Sequence, residues 1–245
     1  MRRILITGAA SAIASAAARL FAAEGAAFFL VDRTADRLQA VANDLRVRGA
    51  QYVATATADL NNFEEHKELI RQAEQQLGGI DTVLIAHGTL PKQKMAEASW
   101  EVTERELATN FLSVVSLLTL VANHFEPART GTIAVISSVA GDRGRQSNYV
   151  YGTAKGALTI FLQGLRNRLA KANVHVLTIK PGFVDSPMTA EFKKGLLWVK
   201  PHVVGKAIHR AIGSRREVVY VPWFWWGIML VITAIPERIF KKMKL

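Results

Sequence analysis

The feature that most constrains this chain is a regular alternation of short apolar runs with longer amphipathic segments. Seven runs rich in Ile, Val and Phe predict strands: Ile4–Ile6, Ala27–Val31, Tyr52–Ala54, Thr82–Ile85, Thr132–Ser137, His175–Ile179 and Val218–Val221. The longer segments predict helices: Ala12–Glu24, Ala35–Arg48, Asn62–Leu77, Val102–Phe125, Tyr149–Lys171 and Pro201–Ile212. Strands that alternate with helices build a parallel sheet through right-handed crossovers. The sequence therefore predicts an α/β fold, a doubly wound parallel sheet of about seven strands with helices on both faces.

Composition places this sheet in one packed domain rather than in a disordered or disulfide-stabilised chain. Of 245 residues, 50% are hydrophobic and 21% are charged, which is enough apolar material for a core. There is no cysteine, so a disulfide framework, a cysteine nucleophile and a thiolate metal site are excluded, and we assign no metal. We expect a single domain over residues 1–222 and an apolar-aromatic, basic and helical tail over residues 223–245.

The charge balance bears on partners. Lysine and arginine total 31 against 20 for aspartate and glutamate, a formal net charge of +11. No run of five basic residues occurs and no aromatic platform lies among basic residues, so we expect no nucleic-acid partner. The basic residues become more frequent near the C-terminus, beside the most apolar stretch. This clustering favours an anionic membrane surface as a partner. The short apolar run after Met1 is not a signal peptide. We therefore expect a cytoplasmic protein, with the inner face of the cell membrane as a peripheral site.

Ligands of this fold bind beyond the carboxyl ends of the strands, so the residues that follow each strand are candidates for function. After the first strand, Thr7-Gly8 opens a turn into a helix, where backbone amides and the helix dipole favour a pyrophosphate. Ala12 and Ala14 stand where a dinucleotide-binding turn usually has glycine, so the glycine-rich fingerprint is incomplete. The segment by itself leaves dinucleotide binding and a plain structural turn as equal alternatives.

An acidic and a basic residue follow the second strand side by side. Asp32 can accept hydrogen bonds from both ribose hydroxyls and favours NAD, whereas Arg33 can pair with a 2′-phosphate and favours NADP. Asp32 would repel that phosphate, so NAD is slightly favoured, although two solvated loop charges would give the same sequence. Asp59 follows the third strand, where its carboxylate can meet an adenine amino group or act as a helix N-terminal charge.

The most specific pattern is Tyr151 with Lys155 four residues later on a predicted helix. Residues four apart share a helix face, so the ammonium lies beside the phenol and favours its ionised form. Ser138 ends the fifth strand, where a hydroxyl can bind a substrate carbonyl, and Asn110 is polar within an apolar helical stretch. Each part has a plainer interpretation, namely a packed tyrosine, a snorkelling lysine and a capping serine. Their conjunction on one βαβ frame favours acid–base catalysis.

Together these motifs resemble the short-chain dehydrogenase/reductase family over essentially the whole chain. The matching residues are Thr7-Gly8, Asn110, Ile136 to Gly141, Tyr151, Lys155 and Pro181 to Met188. The resemblance implies that Tyr151 donates or accepts the substrate proton, while Lys155 binds the nicotinamide ribose and lowers the pKa of Tyr151. It also implies that Ser138 orients the carbonyl and that Asn110 holds a water that relays protons.

The same resemblance implies a Rossmann-type fold, NAD or NADP as cofactor, and a homodimer or homotetramer. The positions that would hold the nucleotide are Gly8, Ser11, Ile13, Asp32, Arg33, Asp59, Leu60, Ala86, Gly88, Tyr151, Lys155, Pro181, Gly182, Val184 and Ser186. Ser186 replaces a threonine that reaches the nicotinamide carboxamide in the family. Where the family has Asn-Asn-Ala-Gly, this chain reads Ile85-Ala86-His87-Gly88. His87 is either a bulky filler beside the cofactor, the favoured interpretation, or a catalytic addition.

The loop between Ser138 and Tyr151 is expected to rim the site and bears on the substrate. It contains Arg143 and Arg145, and two guanidinium groups can clamp a phosphate through bidentate hydrogen bonds. The alternative is that both arginines are solvated or form subunit contacts.

The tail is unusually apolar. No charged residue lies between Glu217 and Glu237, and the run contains Trp223, Trp225 and Trp226. Beyond the last strand about 13 apolar residues remain, fewer than the ~20 that span a bilayer. The basic residues that follow are Arg238, Lys241, Lys242 and Lys244. This pattern fits a helix that lies in a membrane interface, and it fits a subunit interface or a flap over the substrate cleft equally.

The arginine loop, the variant at His87 and the aromatic tail also resemble one subgroup of the family, the reductases of decaprenylphosphoryl-2-keto-erythro-pentose. That resemblance implies a lipid-linked substrate, a polyprenyl-phosphate sugar ketone. A generic hydrophobic ketone or 3-oxoacyl group is the alternative substrate. A non-enzymatic, dinucleotide-responsive scaffold at the membrane is the alternative from another class, because the first turn lacks two glycines.

Overall fold

One parallel sheet forms the centre of the protein. The computed structural model describes residues 1–243, so Lys244 of the basic cluster lies outside the described residues with Leu245. The strands are β1 Arg3–Thr7, β2 Ala27–Asp32, β3 Tyr52–Thr57, β4 Thr82–Ile85, β5 Thr132–Ile136, β6 His175–Pro181 and β7 Val218–Val221. Their order is β3-β2-β1-β4-β5-β6-β7, and every neighbouring pair is parallel. The predicted α/β fold is confirmed.

Helices connect the strands and cover both faces. They are α1 Ala12–Ala22, α2 Ala35–Val47, α3 His66–Leu77, α4 Gln93–Ala98, α5 Trp100–Leu107, α6 Ser113–Ala128, α7 Tyr149–Ala170, α8 Pro201–Gly213, α9 Phe224–Ala234 and α10 Glu237–Phe240. The short α4 was not predicted. The single helix predicted over Val102–Phe125 is two helices, α5 and α6, joined by a π-helical turn over Ala108–Leu112. Hydrophobic periodicity does not reveal such a turn, because the chain stays helical through it.

Both faces of the sheet are buried, which explains why the strands read as apolar runs rather than as alternating ones. In β1, Leu5 faces the cluster that contains residues of α3, α6 and α7. Ile4 and Ile6 face the opposite cluster, which contains residues of α1, α2 and α8. The sheet is therefore held between two helical layers, and the carboxyl ends of its strands are left for the site.

One helical run in the described chain, Trp100–Ala128, is long and apolar enough to cross a membrane by length and composition. Its α6 half, however, contributes Leu117, Leu118 and Phe125 to the core against the sheet. This burial is typical of a central helix in an α/β domain. The tail helix α9 has 11 residues, which is shorter than a span requires.

The tail folds back onto the domain. Trp225 and Met229 of α9 are each 2% exposed and pack with Val139, in the turn that follows β5. On its other side α9 exposes Trp226 and Leu230, at 60% and 56%. The helix therefore has one face in contact with the domain and one apolar face in solvent. The division of the chain at residue 222 stays a prediction.

Three glycines let the turn after β5 contact α7 backbone to backbone. A Cβ on Gly152 would lie 2.9 Å from the carbonyl oxygen of Ala140, and one on Gly156 would lie 3.0 Å from that of Gly141. A Cβ on Gly141 would lie 2.6 Å from the amide nitrogen of Gly156. The distances at Gly152 and Gly141 are too short for a real methyl group, and that at Gly156 is tighter than most. Glycine at these positions therefore allows the close approach of the turn and the helix.

Gly152→Ala should lower the free energy of unfolding by about 1–3 kcal/mol, because the added methyl overlaps the carbonyl oxygen of Ala140. Gly164→Ala in the same helix is the matched control, since no atom lies within 4 Å of its Cβ position. There alanine should stabilise the protein by about 0.5–1 kcal/mol through its higher helix propensity. Urea unfolding followed by circular dichroism measures both changes. Stabilisation by both substitutions would contradict the close contact.

Candidate active site

The predicted catalytic residues lie at the carboxyl edge of the sheet, where the strand order reverses between β1 and β4. Tyr151 and Lys155 occupy the first two turns of α7, and Ser138 precedes the turn that α7 contacts. Nζ of Lys155 lies 5.7 Å from the centroid of the Tyr151 ring. The Ser138 side chain is close enough to the Tyr151 phenol to influence its pKa. The structure therefore brings these three residues together.

Burial dominates the chemistry of the Tyr151 phenol. It raises the pKa of Tyr151 to about 12, and the nearby Ser138 side chain opposes this only in part. The resemblance implied a pKa lowered by Lys155, and the structure has the opposite direction. The physical reason is that loss of solvation penalises phenolate more than the ammonium, itself desolvated, favours it. Tyr151 is therefore a neutral phenol near pH 7, the form that can donate a proton.

The Lys155 ammonium is also removed from solvent. The residue is 4% exposed, and Nζ donates to the carbonyl oxygen of Ile136 at 3.1 Å. Burial lowers the pKa of Lys155 to about 8. The Ser137 hydroxyl contacts the Lys155 carbonyl oxygen at 3.1 Å and the Thr159 hydroxyl at 2.9 Å, which ties the end of β5 to α7. Of the two adjacent serines, Ser137 is thus structural.

The neighbouring hydroxyl, that of Ser138, also has a structural contact. Its Oγ accepts a hydrogen bond from the amide of Ala140 at 3.1 Å, so the capping role considered from the sequence is present. A serine oxygen has two lone pairs and one proton, so this cap leaves the proton free for a substrate oxygen. Capping and substrate orientation are compatible at this residue.

Asn110 lies in the π-helical turn between α5 and α6 and is fully buried. Its Oδ1 accepts a hydrogen bond from the amide of Thr89 at 3.1 Å. Its Nδ2 has three acceptors within reach, namely the backbone carbonyl oxygen of Glu106 at 3.1 Å, the Thr89 hydroxyl at 3.1 Å and the Glu106 carboxylate at 3.2 Å. π-Turns occur frequently at functional sites. Every polar atom of this side chain is therefore engaged.

Two glycines with positive φ lie beside the predicted catalytic residues. Gly8 has φ +69°, and a Cβ there would lie 2.5 Å from the amide nitrogen of His87. Gly88 has φ +155°, and its Cβ would lie 2.7 Å from Oδ1 of Asn110 and 3.5 Å from Nζ of Lys155. Both positions, predicted from the sequence as cofactor residues, accept only glycine.

The first turn keeps the groups that a pyrophosphate needs. Ser11 precedes α1 and makes no side-chain capping bond, so the amides of the first helical turn, Ile13 among them, can bind an anion. The methyl group of Ala14 is fully buried in the core, so the loss of glycine there does not narrow the turn. Ala12 is the remaining departure. The residues present fit a dinucleotide.

The end of β2 lies against the same turn. Oδ2 of Asp32 accepts a hydrogen bond from the Ala10 amide at 3.0 Å, and Arg37 donates to the Ala10 carbonyl oxygen at 3.1 Å. Arg33 is exposed. Sequence reasoning missed Arg37, although a basic residue in the first turn of the helix after β2 is the signal that could have found it. An acidic and two basic side chains therefore surround the predicted ribose position.

Three further cofactor positions follow β3 and β4. Oδ1 of Asp59 accepts from the Asn61 amide at 3.0 Å, so this exposed carboxylate caps its own turn. Leu60 is buried. The Ala86 amide donates to the Thr7 carbonyl oxygen at 2.9 Å, which extends the pairing of β1 with β4. All three lie at the carboxyl edge.

The remaining cofactor positions lie in the loop after β6. Pro181 ends the strand, Val184 is buried and Ser186 begins a 3-10 turn. A Cβ on Gly182 would overlap the indole ring of Trp225, so only glycine fits beside this tail residue. Sequence reasoning did not connect Trp225 with the site. The contact joins the tail to the loop expected to hold the nicotinamide.

His87 bridges neighbouring elements. Its Nδ1 lies 2.9 Å from the Thr7 hydroxyl and its Nε2 lies 2.9 Å from the Ser113 hydroxyl. Ser113 donates its proton to the carbonyl oxygen of Thr109, so it accepts from Nε2–H, and Thr7 donates to Nδ1. Burial, and then the charge of Lys155, lower the pKa of His87 to about 3. A neutral imidazole with both nitrogens in hydrogen bonds favours the interpretation of His87 as a filler over a catalytic role.

The two loop arginines have different surroundings. Arg143 donates to the carbonyl oxygen of Ile235 at 2.6 Å and to the carboxylate of Glu237 at 2.9 Å, so it anchors the tail of its own chain. Neither interpretation of the sequence anticipated this role. Arg145 is half-buried, and in the described part of the chain its Nε has no hydrogen-bond partner. Arg145 therefore retains a donor, whereas the Arg143 donors are largely used.

Comparisons with known proteins bear on the family and the fold of the chain. The profile of the family described as short chain dehydrogenase matches residues 2–196. An uncharacterised oxidoreductase of Mycobacterium tuberculosis is 35% identical over 240 residues, which cover 98% of this chain and 96% of the relative. An uncharacterised oxidoreductase of Staphylococcus aureus is 32% identical over 218 residues, which cover 87% of this chain and 92% of the relative.

A solved structure shares the fold. The crystal structure of a candidate short-chain alcohol dehydrogenase from Sinorhizobium meliloti superposes with a TM-score of 0.84. The match covers 92% of this chain and 96% of that one, at 20% sequence identity. At this identity the likeness shows the fold alone.

Lys155→Met should raise the free energy of unfolding at pH 7 by about 2 kcal/mol, because burying the ammonium costs free energy. The ammonium is charged in the folded and the unfolded chain below pH 8, and the cost falls as pH rises from about 8 towards the unfolded pKa of 10.5. The gain from methionine should therefore shrink between pH 8 and 10.5. Urea titrations at pH 7 and pH 10 measure it. Lys171→Met, at the exposed end of α7, is the control and should change stability little at either pH.

Proposed function

Because this chain belongs to the short-chain dehydrogenase family and is an oxidoreductase, we propose that it reduces a hydrophobic ketone to a secondary alcohol with NAD(P)H, or catalyses the reverse. The observation that carries the proposal is the convergence of Tyr151, Ser138, Lys155 and Asn110 at the carboxyl edge of the sheet. The open first turn at Gly8 lies at the same edge. This arrangement supports a Ser-Tyr-Lys-Asn site.

Each residue of the proposed site has a task that its surroundings support. The nicotinamide cofactor, when bound, supplies or accepts the hydride. Ser138 donates a hydrogen bond to the substrate carbonyl oxygen, and the neutral Tyr151 phenol donates its proton to the same oxygen. Lys155, charged below pH 8, holds the nicotinamide ribose and favours return of the phenol to its proton-bearing state. Asn110 holds the water through which that proton is replaced.

The cofactor of the proposed reaction is NAD in preference to NADP. The Asp32 carboxylate lies against the first turn. There it would accept a hydrogen bond from a ribose hydroxyl and repel a 2′-phosphate. Arg33 and Arg37 lie in the same region and make NADP the second choice. A homodimer or homotetramer is the proposed assembly, on the resemblance to the family.

A hydrophobic substrate is supported by the loop after β6. This loop exposes large apolar side chains: Phe183, Met188, Phe192, Leu196 and Leu197. Phe183 stacks on Trp198 with centroids 5.2 Å apart and meets the edge of Trp225 at 5.0 Å. An aromatic row thus continues from the loop onto α9. Such a surface suits an acyl or polyprenyl chain better than a small polar ketone.

The finer proposal is a lipid-linked ketone, a polyprenyl-phosphate sugar, presented at the inner face of the cell membrane. The exposed face of α9 continues the apolar surface with Trp223, Trp226, Leu230 and Val231. Arg238, Lys241 and Lys242 follow, and near an anionic leaflet each contributes about 1 kcal/mol, screened by salt. Within the described chain the buried Nε of Arg145 has no hydrogen-bond partner, and a substrate phosphate would supply one. A soluble 3-oxoacyl or other hydrophobic ketone is the alternative substrate.

Tyr151→Phe should lower kcat for the reduction of a hydrophobic ketone by about 10²–10⁴-fold, because the proton donor is lost. The substitution should hardly change the dissociation constants for NADH and NADPH. In the wild type and in the variant alike, NADH should bind more tightly than NADPH. Isothermal titration with both cofactors and steady-state kinetics measure these quantities. Tyr149→Phe, at an exposed tyrosine that begins α7, is the matched control and should retain activity.

Two outcomes would contradict this assignment. If Tyr151→Phe keeps a tenth of the wild-type kcat, the phenol is not the proton donor. If neither cofactor binds below millimolar concentration, the proposed reductase is wrong.

Trp226→Gln combined with Leu230→Gln should abolish sedimentation with liposomes that contain anionic phosphatidylglycerol, because the apolar face of α9 loses its interfacial anchors. These residues are exposed, so the fold and reduction of a water-soluble ketone should be spared. Trp100→Gln is the matched control, a tryptophan 65% exposed on α5. If the wild-type protein does not sediment with such liposomes at low salt, the proposed membrane contact is wrong. Dissociation of an oligomer by the double substitution would favour a subunit interface instead.

A further inference from the structure

A groove that the proposed reaction does not use lies between helix α8 and strand β7. Its volume is about 370 Å³, within the range of ligand sites in proteins. Val203 and Ala207 of α8 line it on one side, and Val221 and Pro222, at the end of β7, line it on the other. These four side chains give the groove an apolar lining, which suits a ligand that carries hydrocarbon.

A row of basic side chains borders the groove on α8. His202, Lys206 and Arg210 follow one another at intervals of four residues, so they share one face of the helix, and all three are exposed. Among the described residues neither Lys206 nor Arg210 forms an ion pair. The carboxylate of Glu24, which does reach α8, pairs with His209 at 2.7 Å instead. The row therefore presents positive charge to whatever enters the groove.

The chain around the groove is almost free of acidic residues, which bears on the occupant. Between Glu191 and Glu237 the sequence has Glu217 as its one acidic residue and seven lysines and arginines, namely Lys193, Lys194, Lys200, Lys206, Arg210, Arg215 and Arg216. A twofold contact between two copies pairs the same patch on both subunits, so it would bring two basic rows together. Like charges so placed repel. The groove therefore suits an anion better than a second copy of the chain.

Trp223 joins the groove to the outer face of α9. It lines the groove, it is 82% exposed, and its helical backbone leads into α9. Its carbonyl oxygen accepts a hydrogen bond from the Trp226 amide at 3.1 Å. Trp223, Trp226 and Leu230 have the spacing of one helix face, and all three are exposed. A membrane surface in contact with this face would therefore meet the groove at Trp223.

We propose that the groove between α8 and β7 is a binding site for the headgroup of an anionic phospholipid. Lys206 and Arg210 hold the phosphate through charge-assisted hydrogen bonds, and the apolar lining takes the glycerol and the first acyl carbons. The Trp223 ring lies at the level of the headgroups, where tryptophan is enriched. The inference rests on the proposed membrane contact of α9, to which it adds a defined lipid site.

A water-soluble lipid tests the site without a membrane. Dihexanoyl phosphatidylglycerol, below its critical micelle concentration, should bind the wild type in isothermal titration. Binding should shift tryptophan emission to the blue, and Trp223→Phe should remove the shift. Lys206→Gln combined with Arg210→Gln should weaken binding at least about tenfold, because both partners of the phosphate are lost.

The matched control removes the same charge elsewhere. Lys67→Gln combined with Lys171→Gln changes two exposed lysines, on α3 and at the end of α7, in the helical layer on the other face of the sheet. This variant should bind the lipid as the wild type does, and thermal unfolding checks that each variant is folded. Equal weakening in both double variants would show an effect of net charge alone and would overturn the site.

Liposomes that contain phosphatidylglycerol separate the lipid site from the membrane contact of α9. Trp226→Gln combined with Leu230→Gln should stop sedimentation but keep binding of the short-chain lipid, because neither residue lines the groove. Wild-type protein that binds the short-chain lipid but does not sediment would overturn the proposed membrane contact and leave the lipid site standing. Wild-type protein that sediments but does not bind the short-chain lipid would overturn the lipid site and leave the membrane contact standing.

Two further measurements test other occupants of the groove. Glycerol 3-phosphate should bind at least about tenfold more weakly than the lipid, because it leaves the apolar lining unused. Equal affinity would make the groove a site for free phosphate esters and would overturn the lipid. Trp223→Gln should leave the sedimentation coefficient of the lipid-free protein unchanged in ultracentrifugation. Dissociation of an oligomer by this substitution would make the groove a subunit interface and would also overturn the proposal.

Discussion

The backbone contact between the turn after β5 and helix α7 is the constraint on which the site depends. Glycines at 141, 152 and 156 bring the turn so close that an added methyl would overlap a backbone atom. The same contact buries Lys155 and lets its Nζ reach the carbonyl oxygen of Ile136. It also brings Ser138 to the Tyr151 phenol. Without this approach the helix would carry the tyrosine and the lysine at the same spacing, but both side chains would be exposed to water.

Desolvation then sets the protonation states. One environment raises the pKa of Tyr151 to about 12 and lowers that of Lys155 to about 8, because it disfavours charge of either sign. The consequences differ, since the Tyr151 phenol keeps its proton at neutral pH, whereas the Lys155 ammonium can exchange its proton near neutral pH. His87 obeys the same rule and stays neutral. Glu106 is compensated by hydrogen bonds from two neighbouring side chains rather than by a cation.

The sequence was sufficient for what local pattern encodes. The seven strands and their parallel arrangement followed from apolar runs between helices, and the Tyr151/Lys155 pair followed from a helical spacing. The residues that surround and hold the candidate catalytic side chains could not be predicted from the sequence. Thr89 and Glu106 meet Asn110 only because α5, a π-turn and the loop after β4 converge in space, and periodicity does not register a π-turn. The rise of the Tyr151 pKa was missed for a related reason, because burial is a property of the packed neighbours.

The tail shows how two adjacent tryptophans can serve different purposes. Successive residues on a helix are about 100° apart, so Trp225 packs against Gly182 while Trp226 is left in solvent. Arg143 holds the far end of the helix to the loop that precedes Tyr151. A ligand on the outer face of α9 would therefore bind to an element that touches both the loop after β6 and the loop that precedes Tyr151. For this reason removal of the whole tail would disturb the site whatever the outer face binds, and only substitutions on that outer face separate the two.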